Sequence, residues 1–334
     1  MSATIKDVAR EAGVASGTIS KYLNGGSVRP ENKKNIEEAI RRLEYRPNSL
    51  ARGLRNSRSY RIAFLLPGLE GAHSAKLVAA LEKYVREMGC LLTIYCHRES
   101  PQLVREYLKV MAEQSIDGLI VIPPCTKEEW MENKEKFRIP MVVLEDTCGI
   151  PKTDVVQTDC ASASYELVEY LIQKGHRKIG MIKGSLYSTT AKERFHGFQR
   201  VMEDYELPIE ENYVVDGAYD YASGYDGIRK LWQLSDPPTA VFVANYHMSV
   251  GALVAVNQLR IRIPEQLSLA AFDDMELSSI VQPGMTAVRQ PLDEMMREAC
   301  QILKRRIAGD YSDFPKRVRL KAQMICRDSV RTIY

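Results

Sequence analysis

The chain has 334 residues, 45% of them hydrophobic and 27% charged, a globular balance that excludes a disordered or collagen-like chain and suits two or three domains. No run approaches the roughly eighteen apolar residues of a membrane span, and MSATIKDVAREAG carries charges every few residues where a secretion signal would be apolar, so no signal peptide is expected. The seven cysteines are scattered without a CxxC pair, which predicts reduced thiols of a cytoplasmic protein and neither a disulfide framework nor a zinc site.

The net charge of +3 hides an asymmetry: residues 1–60 hold 12 Lys/Arg against 6 Asp/Glu, whereas the rest hold 34 against 37. Arg41, Arg42, Arg46, Arg52, Arg55, Arg58 and Arg61 face a single acid in their stretch, Glu44. A basic head on a near-neutral body points to a polyanionic partner.

Within TIKDVAREAGVASGTISKYLNG, apolar spacing predicts helices over 5–12 and 16–23 around a turn at Gly13. Thr4 and Asp7 form a capping-box pattern ahead of the first helix, and Asn24-Gly25-Gly26 ends the second. Pro30 is placed to start a third helix, whose Ile36, Ala39, Ile40 and Leu43 repeat at the spacing of a buried stripe. Helices this short are marginal alone in water, so the three must share one small core. Pro47 then breaks the chain before a short basic segment, 47–60.

From Arg61 apolar strands alternate with helices. RIAFLLP, LLTIY, DGLIVIPP and MVVLE are separated by helical stretches over 74–88, 102–114 and around Trp130. A second series begins near Gln157: helix 161–174, KIGMI, helix 191–205, YVV, helix 222–234, AVFVA, helix 247–259 and LSLAAF. Such alternation predicts parallel sheets covered on both faces. Two series predict two α/β, doubly wound domains with a ligand-sized cleft between them. The helix 291–308 and the strand around Val318 must rejoin one of the sheets.

The head has helix-turn-helix spacing, with the exposed face of its second helix suited to a major groove. At this point TIKDVAREAGV, TISKYLN, YRPNSLARGLR, DGLIVIP, GHRKIGMI, ERFHGF, PTAVFVAN, FDD, TAVRQP and CRDS, in that order, resemble the lactose-repressor/galactose-repressor family of bacterial regulators nearly end to end. The resemblance implies a helix-turn-helix headpiece (1–46), a hinge helix and linker (47–60), and two periplasmic-binding-protein-like core subdomains. The first subdomain is expected over 61–160 with 291–320, and the second over 161–290 with 321–334, joined by three crossings that form a hinge. The family works as a homodimer on a pseudo-palindromic operator in double-stranded DNA. Because the chain ends soon after CRDS with no leucine heptad tail, a dimer is expected over a tetramer.

By the same resemblance, DNA contacts fall to Thr4, Ser16, Gly17, Thr18, Lys21, Asn24, Arg29, Asn48, Arg52, Leu54 and Arg55. Ser16, Gly17 and Lys21 are the base-reading positions. Since Gly17 presents no side chain, Lys21 donating to guanine O6/N7 is expected to lead the readout, helped by deformability of the operator centre. Leu54 would wedge between base steps, beside a helix-weakening Gly53, while Arg52, Arg55 and Arg58 contact phosphates and make affinity steeply salt-dependent.

The resemblance also implies a small effector, a sugar or sugar derivative, lined by His73, Ser74, Glu145, Ser188, Thr190, Arg194, Tyr219, Asn245, Tyr246 and Asp273. Carboxylate, guanidinium and amide groups with an aromatic ring suit paired hydroxyls and an apolar sugar face. Two departures distinguish this chain: LEGAHSAKL replaces an Asn-Pro-aromatic-aromatic run, and Asn245-Tyr246 replaces Asn-Asp. Tyr187 and Tyr246 are the residues that would restore an aromatic wall. The plainer reading of Asp273-Asp274 is a pair of loop caps, and of Arg194 a surface ion pair.

An enzyme is not expected. GxxxxGK[ST], GxGxxG after a strand, GxSxG and HExxH are all missing, and the five histidines show no metal-ligand spacing, so neither cofactor nor metal is expected. A periplasmic binding protein with the same core would lack the basic head. A regulator of this fold controlled by a protein partner, or lacking an effector, is the alternative left open.

Overall fold

A computed structural model of the chain describes residues 3–23, 26–45, 58–124, 139–145, 152–186 and 188–334. The chain divides into two compact units, 1–60 and 61–334.

The first unit holds three helices, α1 (Ile5–Glu11), α2 (Ser16–Leu23) and α3 (Pro30–Arg42). The capping box forms as its sequence pattern implies: Asp7 N–H donates to the Thr4 hydroxyl oxygen, and Thr4 N–H donates to Asp7 Oδ2 at 2.9 Å. Gly13 takes φ +63°, the left-handed turn for which glycine carries no steric cost. Val8, Ala9, Ala12, Ile19, Ile36 and Ala39 form the core, with Tyr22, Leu23, Ile40 and Leu43 packed against it. Tyr22 donates to Glu37 at 2.8 Å, tying α2 to α3. The expected hinge helix and Asn24, Asn48, Arg52, Leu54 and Arg55 lie outside the described residues, as does the helix expected around Trp130.

In the second unit, the described residues form two six-stranded sheets. The first contains β1 (Arg61–Leu66), β2 (Leu91–Cys96), β3 (Gly118–Val121), β4 (Met141–Leu144), β5 (Asp154–Thr158) and β11 (Arg317–Leu320), in the order β11-β5-β4-β3-β1-β2. The second contains β6 (Ile179–Lys183), β7 (Val214–Asp216), β8 (Ala240–Val243), β9 (Ser268–Phe272), β10 (Thr286–Arg289) and β12 (Gln323–Ile325), in the order β12-β10-β9-β8-β6-β7. Every pairing is parallel except β10 with β12. The central strands are buried end to end, as in β3, β8 and β9, because helices cover both faces.

Those helices are α4 (Ala72–Glu87), α5 (Pro101–Glu113), α6 (Cys160–Gln173), α7 (Thr189–Asp204), α8 (Tyr221–Trp232), α9 (Tyr246–Gln258), the short α10 (Glu276–Ile280) and α11 (Leu292–Ile307). The chain passes between the sheets three times: after Thr158, between Arg289 and Leu292, and between Leu320 and Gln323. On its return α11 is fixed to the first sheet by a bidentate pair, Arg306 Nε to Asp154 Oδ2 at 2.7 Å and Nη2 to Oδ1 at 2.9 Å, with both side chains 1% exposed. Lys316 N–H also donates to Asp154 at 2.7 Å, so the buried carboxylate is well solvated by protein.

Candidate functional site

On the head, Ser16, Gly17 and Lys21 are exposed and lie along one face of α2, while Ile19 faces inward and is 0% exposed. Space around Gly17 is open, so a side chain there would meet nothing in this chain. Gly26 lies against the Lys21 stem, and its N–H donates to the Lys21 carbonyl at 2.8 Å. The return of the chain after α2 thus braces the one long cationic side chain on that face. Thr18 is half-buried, Arg29 is exposed at the start of α3, and the Thr4 side chain is engaged by Asp7.

In the second unit all ten expected effector residues line one cavity of about 690 Å³. They arrive from strand ends and helix starts, where parallel α/β sheets leave backbone donors and side chains free to converge. His73 and Ser74 open α4; Glu145 follows β4; Ser188 caps α7, which carries Thr190 and Arg194; Asn245 caps α9, which begins with Tyr246; Asp273 follows β9. Tyr219 sits before α8, and its ring lies where a side chain at Gly184 would be.

Three of these residues hold left-handed backbone: Glu145 (φ 59°), Tyr219 (φ 62°) and Asp273 (φ 74°). Residues other than glycine adopt it uncommonly and at some steric cost, aspartate and asparagine most readily.

Charge in the cavity is paired. His73 Nε2 lies 2.7 Å from Glu145 Oε1. Burial alone would lower the His73 pKa, but the Glu145 carboxylate outweighs it, with Asp273 adding to the effect, and the pKa rises above its ordinary 6.5. Arg194, 6% exposed, donates to the Ala244 carbonyl at 2.6 Å, lies 3.9 Å from Asp273 Oδ2 and stacks 3.8 Å over the Phe272 ring. It is therefore a buried cation and not the surface ion pair of the plainer sequence reading.

The two adjacent aspartates divide their work. Asp273 faces the cavity, accepting from Gln290 Nε2 at 2.6 Å and from Tyr246 N–H at 3.3 Å. Asp274 turns away and is clamped by Arg289 Nε at 3.0 Å and Arg327 Nη1 at 2.8 Å. Burial would raise the Asp274 pKa, but the two guanidiniums hold it below the usual carboxylate range.

Three buried polar atoms on the cavity wall have no hydrogen-bond partner in the protein: His73 Nδ1, Arg194 Nε and Tyr219 Oη. Unpaired buried polar atoms are costly and rare, and the three residues that carry these line the same cavity. Sequence reasoning missed Pro67, Glu99, Ser185, Ala218 and His247, which also line the cavity. His247 had an available signal in its place beside Asn245-Tyr246; its ring fills the space left by the absent side chain of Gly71. Tyr187 lies outside the described residues. Among the described residues no group of three or more His, Cys, Asp or Glu is placed to hold a metal ion.

The sign of the His73 shift gives a pH prediction. Its pairing stabilises the fold fully below the ordinary value of 6.5 and is lost as pH rises through the higher folded value. The difference in Tm between the protein and a His73→Gln variant should be larger at about pH 6 than at about pH 9. Equal differences at both would overturn it.

Comparison with known proteins joins the two units. Residues 4–48 match the family described as bacterial regulatory proteins, lacI family, and residues 168–330 match a periplasmic binding protein-like domain. The HTH-type transcriptional repressor PurR of Haemophilus influenzae (strain ATCC 51907) is 31% identical over 335 residues, covering 99% of both chains. PurR of Escherichia coli O1:K1 / APEC is 32% identical over 331 residues, covering 98% of this chain and 97% of that one. Among solved structures, the complex of the transcriptional regulator CelR with cellobiose superposes with TM-score 0.76 at 26% identity, covering 98% of this chain and 99% of that one. The lac repressor dimer bound to operator and the anti-inducer ONPF shares the fold at TM-score 0.88 and 22% identity, covering 99% of this chain and 100% of that one. No helix among the described residues is long and apolar enough to cross a membrane. Matched by its head and related to PurR along almost its whole length, the chain belongs to the LacI family of bacterial regulatory proteins.

Proposed function

We propose that the protein is a sequence-specific DNA-binding repressor, acting in the cytoplasm as a homodimer on a pseudo-palindromic operator. Its operator affinity is set by a small polyhydroxylated effector, a sugar or sugar derivative, held in the 690 Å³ cavity. It is not an enzyme. On this reading the second unit divides into subdomains 61–160 with 291–320 and 161–290 with 321–334, and the effector shifts the balance between their arrangements by binding one better than the other.

The observation that carries the effector reading is that three residues lining one cavity, His73, Arg194 and Tyr219, each hold a buried polar atom without a partner in the protein, Nδ1, Nε and Oη. A hydroxylated ligand supplies the missing partners, and Tyr219 and Tyr246 offer ring surface to its apolar face. The related CelR complex holds a disaccharide, cellobiose. A thermal-shift screen of neutral mono- and disaccharides, sugar acids and sugar phosphates tests it. A ligand at about a hundredfold its Kd adds about 2.7 kcal/mol of stability, equivalent to a Tm increase of about 5–10 °C. If no compound of these classes shifts the Tm, control by a protein partner or by no ligand takes its place.

For the DNA face, Lys21→Ala is expected to reduce discrimination between the operator and a scrambled duplex about tenfold or more, in line with about 1–3 kcal/mol for a good side-chain contact to a base edge. Binding of both duplexes by the variant should keep its salt dependence nearly unchanged, because phosphate contacts remain. Discrimination equal to that of the parent protein would remove Lys21 from the readout.

A further inference from the structure

We infer that Gln290 is a positioning residue that ties the cavity carboxylate of Asp273 to the segments crossing between the two sheets. A ligand that draws on Asp273 would thereby act on those crossings.

Gln290 lies between β10 of the second sheet and α11, which packs on the first, and is 8% exposed. Its Nε2 donates to Asp273 Oδ1 at 2.6 Å, and its Oε1 accepts from the Thr158 hydroxyl at 2.7 Å. Thr158 is the last residue of β5, 2% exposed, and pairs in register with Leu320. The next residue, Asp159, donates its N–H to the Leu320 carbonyl at 2.8 Å. All three crossings therefore meet within one hydrogen-bonded chain, whose far end is a wall of the cavity.

The carboxylate fixes the polarity of this chain. An ionised Asp273 only accepts, so the amide must turn its NH2 toward it; the amide oxygen then requires a donor, and the Thr158 hydroxyl is one. A half-satisfied buried amide is costly, so displacement at one end is felt at the other. Asp273 and Gln290 also line a neighbouring recess of about 490 Å³, together with Lys76, Asp274, Arg289, Asp293 and Glu294. These are the charged groups of that recess, and on the cavity side Arg194 lies 3.9 Å from Asp273 Oδ2.

The relay serves the ligand-controlled reading proposed above, but its test uses no ligand. A failed relay leaves that reading standing, and a failed ligand screen leaves the relay standing. The full-length chain is compared with Gln290→Glu, Gln290→Ala, Thr158→Val and Thr158→Ser. A glutamic acid can replace the amide only when protonated, since its O–H can then donate to Asp273. Gln290→Glu should lose about 4 °C in Tm at about pH 8 and recover at least half of it at about pH 5, whereas the Gln290→Ala deficit stays flat across that range. Thr158→Val should speed hydrogen exchange of the Tyr246 amide, which donates to Asp273, about tenfold, and Thr158→Ser should restore it. A structural role confined to β5 would leave Tyr246 unmoved. The relay is overturned if Gln290→Glu behaves as Gln290→Ala at both pH values, or if Tyr246 exchange is unchanged in Thr158→Val.

Discussion

Replacing Ile19 by alanine is expected to unfold the head and abolish operator binding while leaving the 61–334 unit intact. Ile19 is 0% exposed and lies in a core whose only other fully buried large residues, among the described residues, are Val8 and Ile36. Truncating a buried isoleucine costs about 2–5 kcal/mol. A domain of this size is stabilised by only a few kcal/mol, at roughly 0.05–0.15 kcal/mol per residue. Half of the fully buried cluster, Ala9, Ala12 and Ala39, has no length to extend into the gap. Gel-shift affinity for the operator should fall at least a hundredfold. The thermal transition of the larger unit, followed by circular dichroism, should stay within about 2 °C of the parent. Operator affinity within twofold of the parent would show that the α2 face does not depend on this core.

The second large effect is expected from Arg194→Met. The guanidinium is buried between the Ala244 carbonyl, the Phe272 ring and Asp273, and its Nε has no partner in the protein. Methionine keeps most of the apolar volume of the stem. Asp273 retains Gln290 and the Tyr246 amide as donors, so no carboxylate is stranded and the fold should survive. Losing hydrogen bonds to a charged donor costs about 1.5–3 kcal/mol each, so affinity for the effector should fall about 10–150-fold. Operator binding without effector should change less than threefold. Titration calorimetry with the compound found in the thermal-shift screen measures the first, and filter binding the second. Unchanged effector affinity would move the binding role away from Arg194.

Much of this architecture was legible because local rules and tertiary packing agree. In the head, Thr4-Asp7, Gly13 and Pro30 each do in the fold what their chemistry predicts. In the larger unit the helix starts shift by one or two residues, and side-chain caps at Ser100, Asp159, Ser188, Asp220 and Asn245 set five of them. Asn245 accepts from Met248 N–H, so α9 begins at Tyr246, one residue ahead of the apolar pattern. The apolar pattern of YVV predicts a strand over all three residues, yet Tyr213 closes a 3-10 turn and the strand runs from Val214 to Asp216. The five-residue α10 escaped notice because it spans too little chain for a helical period.

At the cavity, residues carried by family motifs were found and those defined by distant contacts were not. Glu99 depends on a loop pinned by His97, which accepts from Glu99 N–H and donates to the Ile122 carbonyl. Gln290 sits inside the quoted TAVRQP, but its partners lie 17 and 132 residues away. Such juxtapositions have no local periodicity to reveal them. The separate tasks of Asp273 and Asp274 were equally hidden, because side-chain direction after a strand end depends on a backbone angle, here φ 74° at Asp273.

That left-handed backbone at Glu145, Tyr219 and Asp273 bears on retooling the protein as a biosensor for a new analyte. β-Branched side chains are penalised at such angles, and aspartate, asparagine and glycine tolerate them best. Libraries aimed at these three positions are best kept free of Val, Ile, Thr and Pro, which would strain the backbone whatever the analyte. Ser74, Thr190 and Tyr246 sit on helical backbone along the same wall, so diversity placed there can reshape recognition without disturbing the chain that supports it.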